Sequence, residues 1–157
     1  MSFRDKFKFS KVKPIKFDEC EFYGRFKSYA LKGIDFVFSH RGRLVLMEVK
    51  SRQKLERLNS TVAQFLHTLL LLAPVWLRLP EIDEELPKLV GHHARAKDIV
   101  LCITDNLSRD RIDILQKHLE RVLKRASFEK MFNCRVQVVD INGLNEIYSP
   151  AVTAEKV

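Results

Sequence analysis

Two carboxylates and an amine carry the chemistry in this chain: Asp35, Glu48 thirteen residues later, and Lys50 two positions beyond that. Hard divalent cations such as magnesium bind carboxylate and water oxygens, commonly with only one or two protein carboxylates. A lysine beside such a site can orient or deprotonate an attacking water, or stabilise charge on a phosphate. Together these groups are a kit for hydrolysing a phosphodiester.

For the three to meet, the chain must fold back between them. Ile34 to Ser39 and Leu44 to Val49 are short apolar-rich runs separated by a basic break containing Gly42, the pattern of a β-hairpin. With Arg41 and Gly42 as the loop, His40 faces Arg43, Phe38 faces Val45, Phe36 faces Met47 and Asp35 faces Glu48. Directly opposed residues share a face of the sheet. One face then carries Ile34, Phe36, Phe38, Val45, Met47 and Val49, all apolar. The other carries Asp35, Glu48 and Lys50 at one end, with Val37, Leu44 and Leu46 nearby. Opposed carboxylates, about 5 Å apart at Cβ, repel each other. Charges on a hairpin are often simply its wet face, but the three aliphatic neighbours predict a covered one. Burying the acids without a cation is costly, and a metal between them removes the conflict.

The surroundings suit a polyanionic substrate. Formal net charge is +8 and the pI about 9.5. Residues 1–60 hold 15 Lys and Arg against 7 Asp and Glu, whereas residues 61–157 hold 13 of each. The acidic cluster thus sits in the basic half, where the field steers a nucleic acid inward; the plainer reading is a solvated lysine-rich surface. Three scattered cysteines, Cys20, Cys102 and Cys134, have no metal-ligand spacing and read as reduced thiols in a cytosolic-type compartment. The first residues are charged where a signal peptide is apolar, and Phe65 to Leu77, broken by His67, Thr68 and Pro74, is too short to span a bilayer. A cytoplasmic protein without a membrane partner is expected.

In chain order, residues 1–16 mix Phe and Val with Lys, as an edge strand or a basic arm would. Residues 17–25 fit a helical turn or a strand equally. Phe26 to Leu31 reads as a strand leading into the hairpin, giving a three-stranded meander over 26–50. Leu55, Leu58, Val62, Phe65, Leu69 and Leu72 recur at helical spacing, with Pro74 as the expected stop. Leu66 and Leu70 widen this stripe, which the sheet or a partner chain must cover. Residues 80–97 read as a surface excursion, in which His92 and His93 are a surface pair. Asp98 to Asp105, with the apolar run Ile99 to Ile103 inside it, is a buried strand. Ser108 opens a helix with Ile112, Leu115, Leu119, Val122 and Leu123 inward, Arg135 to Val139 is a last strand, and Asn142-Gly143 begins a turn or short helix. One domain over 1–150 is expected, with a disordered tail over 151–157.

Gly33-Ile-Asp35 followed by Glu48-Val-Lys50 resembles the PD-(D/E)xK nuclease superfamily, which includes restriction endonucleases, Holliday-junction resolvases and transposon end-cleaving endonucleases. Ile34 stands where the family name has proline. The resemblance spans roughly the first two thirds of the chain and implies an α/β fold with a restriction-endonuclease-like core: a mixed central sheet with a three-stranded meander flanked by helices. It implies that Asp35 and Glu48 bind Mg2+ (with Mn2+ as substitute), joined by the Val49 carbonyl, and that Lys50 is the catalytic lysine. Members often add a glutamate from the preceding helix, here Glu21 in preference to Glu19. Some branches carry a glutamine on the following helix, where Gln64 stands; a satisfied core glutamine is the competing reading. Lys32, His40, Arg41 and Arg43 at the hairpin ends, with Ser51 and Arg52 after the lysine, are candidate nucleic-acid contacts. The expected function is a metal-dependent endonuclease acting on DNA rather than RNA, alone, as a homodimer or within a larger complex. The alternative is a non-catalytic nucleic-acid-binding or assembly subunit.

Overall fold

The computed structural model describes residues 6–10, 12–24, 32–51, 58–76, 97–125 and 134–155. The hairpin forms with the expected register. β3 (Phe36–His40) and β4 (Arg43–Lys50) are antiparallel, with His40 opposite Arg43, Phe38 opposite Val45 and Phe36 opposite Met47. Arg41 and Gly42 both take positive φ, 48° and 73°. That is the requirement of the two-residue turn whose twist matches the flanking strands.

Around this hairpin lies a five-stranded mixed sheet, ordered β2 (Ile15–Lys16), β3, β4, β5 (Lys97–Ile103) and β6 (Cys134–Asp140). β2 and β3 are antiparallel, whereas β4, β5 and β6 run parallel, so their carboxyl ends share one edge of the sheet. All of β5 is buried, as a central parallel strand covered on both faces must be. Helices α2 (Leu58–Trp76) and α3 (Arg109–Arg125) cover one face. There Val62, Phe65, Leu69, Leu119 and Leu123 pack with Leu46, Leu101 and Val138. On the opposite face α4 (Ile141–Tyr148) packs Ile141, Leu144 and Tyr148 against Phe36, Phe38, Met47 and Val100. The inward face of α3 is the expected one, and the Ser108 carbonyl accepts from the amides of Arg111 and Ile112 at its start. Asp140 caps α4 by accepting from the Gly143 amide at 2.9 Å. No helix among the described residues is long and apolar enough to cross a membrane.

Several expectations need correction. The strand beside β3 is Ile15–Lys16, from the segment read as an edge strand or a basic arm, rather than one from 26–31, and a short helical turn, α1 (Glu21–Gly24), follows it. The strand expected over 26–31 lies outside the described residues, as do residues 80–96 of the expected excursion with His92 and His93, whereas Lys97, expected in that excursion, is buried and opens β5. α2 continues past Pro74 to Trp76. A proline this close to a helix end removes a single backbone hydrogen bond, so the last residues stay helical. Ile34 packs with the α2 face rather than with Phe36. β3 begins at Phe36, so strict alternation does not extend back to residue 34.

Within the segment expected to be a disordered tail, residues 152–154 form a strand. β7 (Val152–Ala154) pairs antiparallel with β1 (Phe7–Phe9), and this ribbon closes the α4 side of the core. Val152 is fully buried there, and Asn145 of α4 makes two hydrogen bonds to the Ala154 backbone. The apolar area gained offsets the entropy of ordering so short a strand.

Candidate active site

Beyond Phe36 the hairpin stops pairing backbone to backbone, and the two acids replace the ladder. The Asp35 amide donates to Glu48 Oε2 at 3.1 Å, and the Val49 amide donates to Asp35 Oδ2 at 2.9 Å. Each carboxylate thereby satisfies a backbone donor on the other strand. The sequence placed these acids opposite one another, and the structure brings them together at the carboxyl end of β4.

Lys50 Nζ stands 2.6 Å from Glu48 Oε1. The Glu48 side chain is almost wholly buried, and its lysine partner is mostly so. Burial, then repulsion from Asp35, pushes the Glu48 carboxyl up to about 7, although hydrogen bonds from Lys50 and Gln64 and the lysine charge pull it down. The conflict foreseen between two buried acids is thus real, and the protein's own ammonium and backbone amides answer part of it.

Gln64 of α2 donates from Nε2 to the Gly33 carbonyl at 3.1 Å, while its Oε1 is buried without a hydrogen-bond partner among the described residues. Among the described residues, the amide nitrogen of Gln64 is thus satisfied and its oxygen is not. No group of three or more His, Cys, Asp or Glu side chains gathers anywhere among the described residues. Magnesium commonly takes only one or two protein carboxylates, so a pair such as Asp35 and Glu48 could hold it.

The remaining candidates separate. Glu19 is half-exposed and lies 3.8 Å from Lys16, so it does not complete a triad with Asp35 and Glu48. Glu21 opens α1, but its side chain lies outside the described part of the structure. The Val49 side chain packs in the opposite core, leaving only its backbone on the candidate site. Lys32 and Ser51 lie at the Asp35–Lys50 end of the hairpin; Arg52 is outside the described residues. His40, Arg41 and Arg43 lie at the other end. Arg43 is committed there, donating to Asp98 Oδ1 at 2.7 Å and to the Lys97 carbonyl at 2.9 Å. It is a structural residue rather than a free phosphate contact.

Sequence reasoning missed two groups. Asp98 accepts from Arg135 as well as from Arg43, through both oxygens, at 2.9 and 3.0 Å to Arg135. Burial, the largest influence, raises the Asp98 carboxyl, but the two guanidiniums outweigh it and hold it below the ordinary range. No sequence spacing links residues 43, 98 and 135. The second group is Ser60, His67 and Thr68, which with Gln64 grip the segment before Asp35. Its trace in the sequence is that polar residues interrupt α2 at helical intervals on one flank of the apolar stripe.

Comparison of the chain with protein-family models, with curated proteins and with solved structures finds no match.

Proposed function

We propose that this protein is a divalent-metal-dependent nuclease of the PD-(D/E)xK type, acting on DNA. The observation that carries this reading is the mutual locking of Asp35 and Glu48 across the open end of the hairpin, with the Lys50 ammonium 2.6 Å from Glu48. Two buried acids held side by side at the carboxyl edge of a parallel strand set are costly for stability alone. Asp35 and Glu48 would hold the ion, with the Val49 carbonyl and Gln64 Oε1 as neutral oxygens at hand. A bound magnesium supplies charge neutralisation at the scissile phosphate and lowers the pKa of water. Lys50 would then orient the attacking water and stabilise charge on the phosphate through its ammonium, which Glu48 keeps in place. The basic excess of residues 1–60 favours a polyanion at this end of the molecule.

One observation favours a second reading, a nucleic-acid-binding or assembly subunit without catalysis. Lys50 and two backbone amides already satisfy much of the acid pair. Cleavage decides between them. Purified protein with Mg2+ or Mn2+ is expected to nick or cut DNA in a panel of linear duplex, single strand, branched junction and RNA. Asp35→Ala and Lys50→Ala are expected to abolish cutting while retaining binding. Binding without cutting of any substrate with either metal would leave the second reading standing.

A further inference from the structure

We infer that a polar ladder on α2, centred on Thr68, is the positioning device for Asp35. Ser60, Gln64, His67 and Thr68 fall at helical intervals of four, three and one, so they line one side of α2. All four act on the three residues that precede Asp35. The Lys32 ammonium donates to Ser60 Oγ at 2.8 Å and the Lys32 amide to His67 Nδ1 at 3.0 Å. The Gly33 carbonyl accepts from Gln64 Nε2 at 3.1 Å, and the Ile34 amide donates to Thr68 Oγ1 at 3.2 Å. The Thr68 hydroxyl in turn donates to the Gln64 carbonyl at 2.8 Å, so its proton is committed and its lone pair is aimed at Ile34.

The physical reason for the ladder lies in where β3 begins. Residues 32–34 precede the strand, so the helix supplies hydrogen bonds that a neighbouring strand would otherwise give. Asp35 follows directly, its amide bound to Glu48 and its carbonyl accepting from Phe17 at 3.1 Å. The acid is thus fixed in depth by Phe17, just after β2, and by β4, and along the chain by α2. Thr68 is fully buried among apolar side chains, so its hydroxyl is there at a cost that only its two hydrogen bonds offset.

The inference rests on the proposed metal site for its functional meaning, and two readouts separate the two ideas. The first is hydrogen exchange of the Asp35 and Val49 amides, which needs no metal. In Thr68→Val, nearly isosteric but without the hydroxyl, both amides should exchange about tenfold faster or more. The second is Mn2+ affinity, which should fall about tenfold or more, the usual consequence of losing a group that orients a ligand. Thr68→Ser should restore both. Gln116→Leu, which removes hydrogen bonds from α3 to Val136 and Val138 two strands away, should lower stability but move neither readout. Should Thr68→Val fail to fold, His67→Leu tests the same ladder at its half-buried end, with a change in the same direction. Unaltered exchange in the folded ladder variant, or equal acceleration in Gln116→Leu, overturns the inference. If the exchange pattern holds but the wild type takes up no Mn2+, the positioning of Asp35 stands and the metal reading falls.

Discussion

The Asp35 amide donates to the Glu48 carboxylate at 3.1 Å, while the Asp35 carboxylate accepts from the amide of Val49, the residue after Glu48, at 2.9 Å. Each acid therefore holds the other's strand, and neither can move without releasing a backbone donor. The pair continues the hairpin register by side chains where the ladder of backbone bonds has ended.

Protonation of Glu48 should govern metal uptake. Its carboxyl is raised to about 7 by burial and by Asp35, and a ligand must lose its proton to bind. Mn2+ affinity is expected to fall about tenfold for each pH unit below 7 and to level off above it. Lys50→Ala removes interactions that lower this pKa, so the break should move to higher pH. Calorimetric titration from pH 5 to 8 measures it, and a flat profile would refute the assignment.

The same shift has a consequence for metal-free stability. The folded carboxyl lies above its value in the unfolded chain, 4.5, so the native state binds the proton more tightly. Stability from this group is fully present below pH 4.5 and is lost as pH rises through about 7. Glu48→Gln should flatten that decline in urea denaturation, and an equally steep decline in the variant would contradict it.

Gly33 should not tolerate a side chain. A Cβ there would lie 3.1 Å from both Phe17 Cδ1 and Tyr23 Cε2, atoms of two packed rings whose centroids are 5.7 Å apart. Gly33→Ala is expected to cost about 1–3 kcal/mol through overpacking. Because Gly33 also binds Gln64, the substitution should weaken Mn2+ binding as well. A variant as stable as the wild type in thermal denaturation would show that the rings yield freely.

At the other end of the sheet, Asp98 joins Arg43 and Arg135, and its side chain is only 5% exposed. Asp98→Asn is expected to destabilise the fold by about 3 kcal/mol at pH 7 by leaving a partly buried guanidinium uncompensated. The folded carboxyl is held below the ordinary range, so this stabilisation is present above the unfolded-state pKa and is lost as pH falls through the folded value. The variant and wild type should therefore converge in strong acid. A constant gap from pH 7 down to pH 2 would exclude the charge as the cause.

Deleting residues 150–157 should destabilise the protein, although the segment is short. It removes a fully buried Val152 and the strand paired with Phe7–Phe9, uncovering the cluster around Phe36, Phe38 and Tyr148. Val152 alone is worth about 1.5 kcal/mol or more. Urea denaturation of the shortened chain measures the loss, and an unchanged midpoint would mean that β7 contributes nothing.

Local pattern alone determined the hairpin. Alternating side chains and a two-residue turn leave one register, and that register sets Asp35 opposite Glu48 with Lys50 one strand step beyond. Helical periodicity likewise marked the inner faces of α2 and α3, because burial selects apolar residues at that interval. Three things were decided only in the folded chain. Ile15–Lys16 became the neighbour of β3, and Val152–Ala154 paired with Phe7–Phe9, because short strands are chosen by the surface that receives them. Asp98 gathered Arg43 and Arg135 from strands distant in sequence. Thr68, Gln64, His67 and Ser60 met Lys32 to Ile34 only when α2 packed on the sheet. Hydrogen bonds between segments far apart in the chain leave no period to read, since their partners are set by packing rather than by spacing.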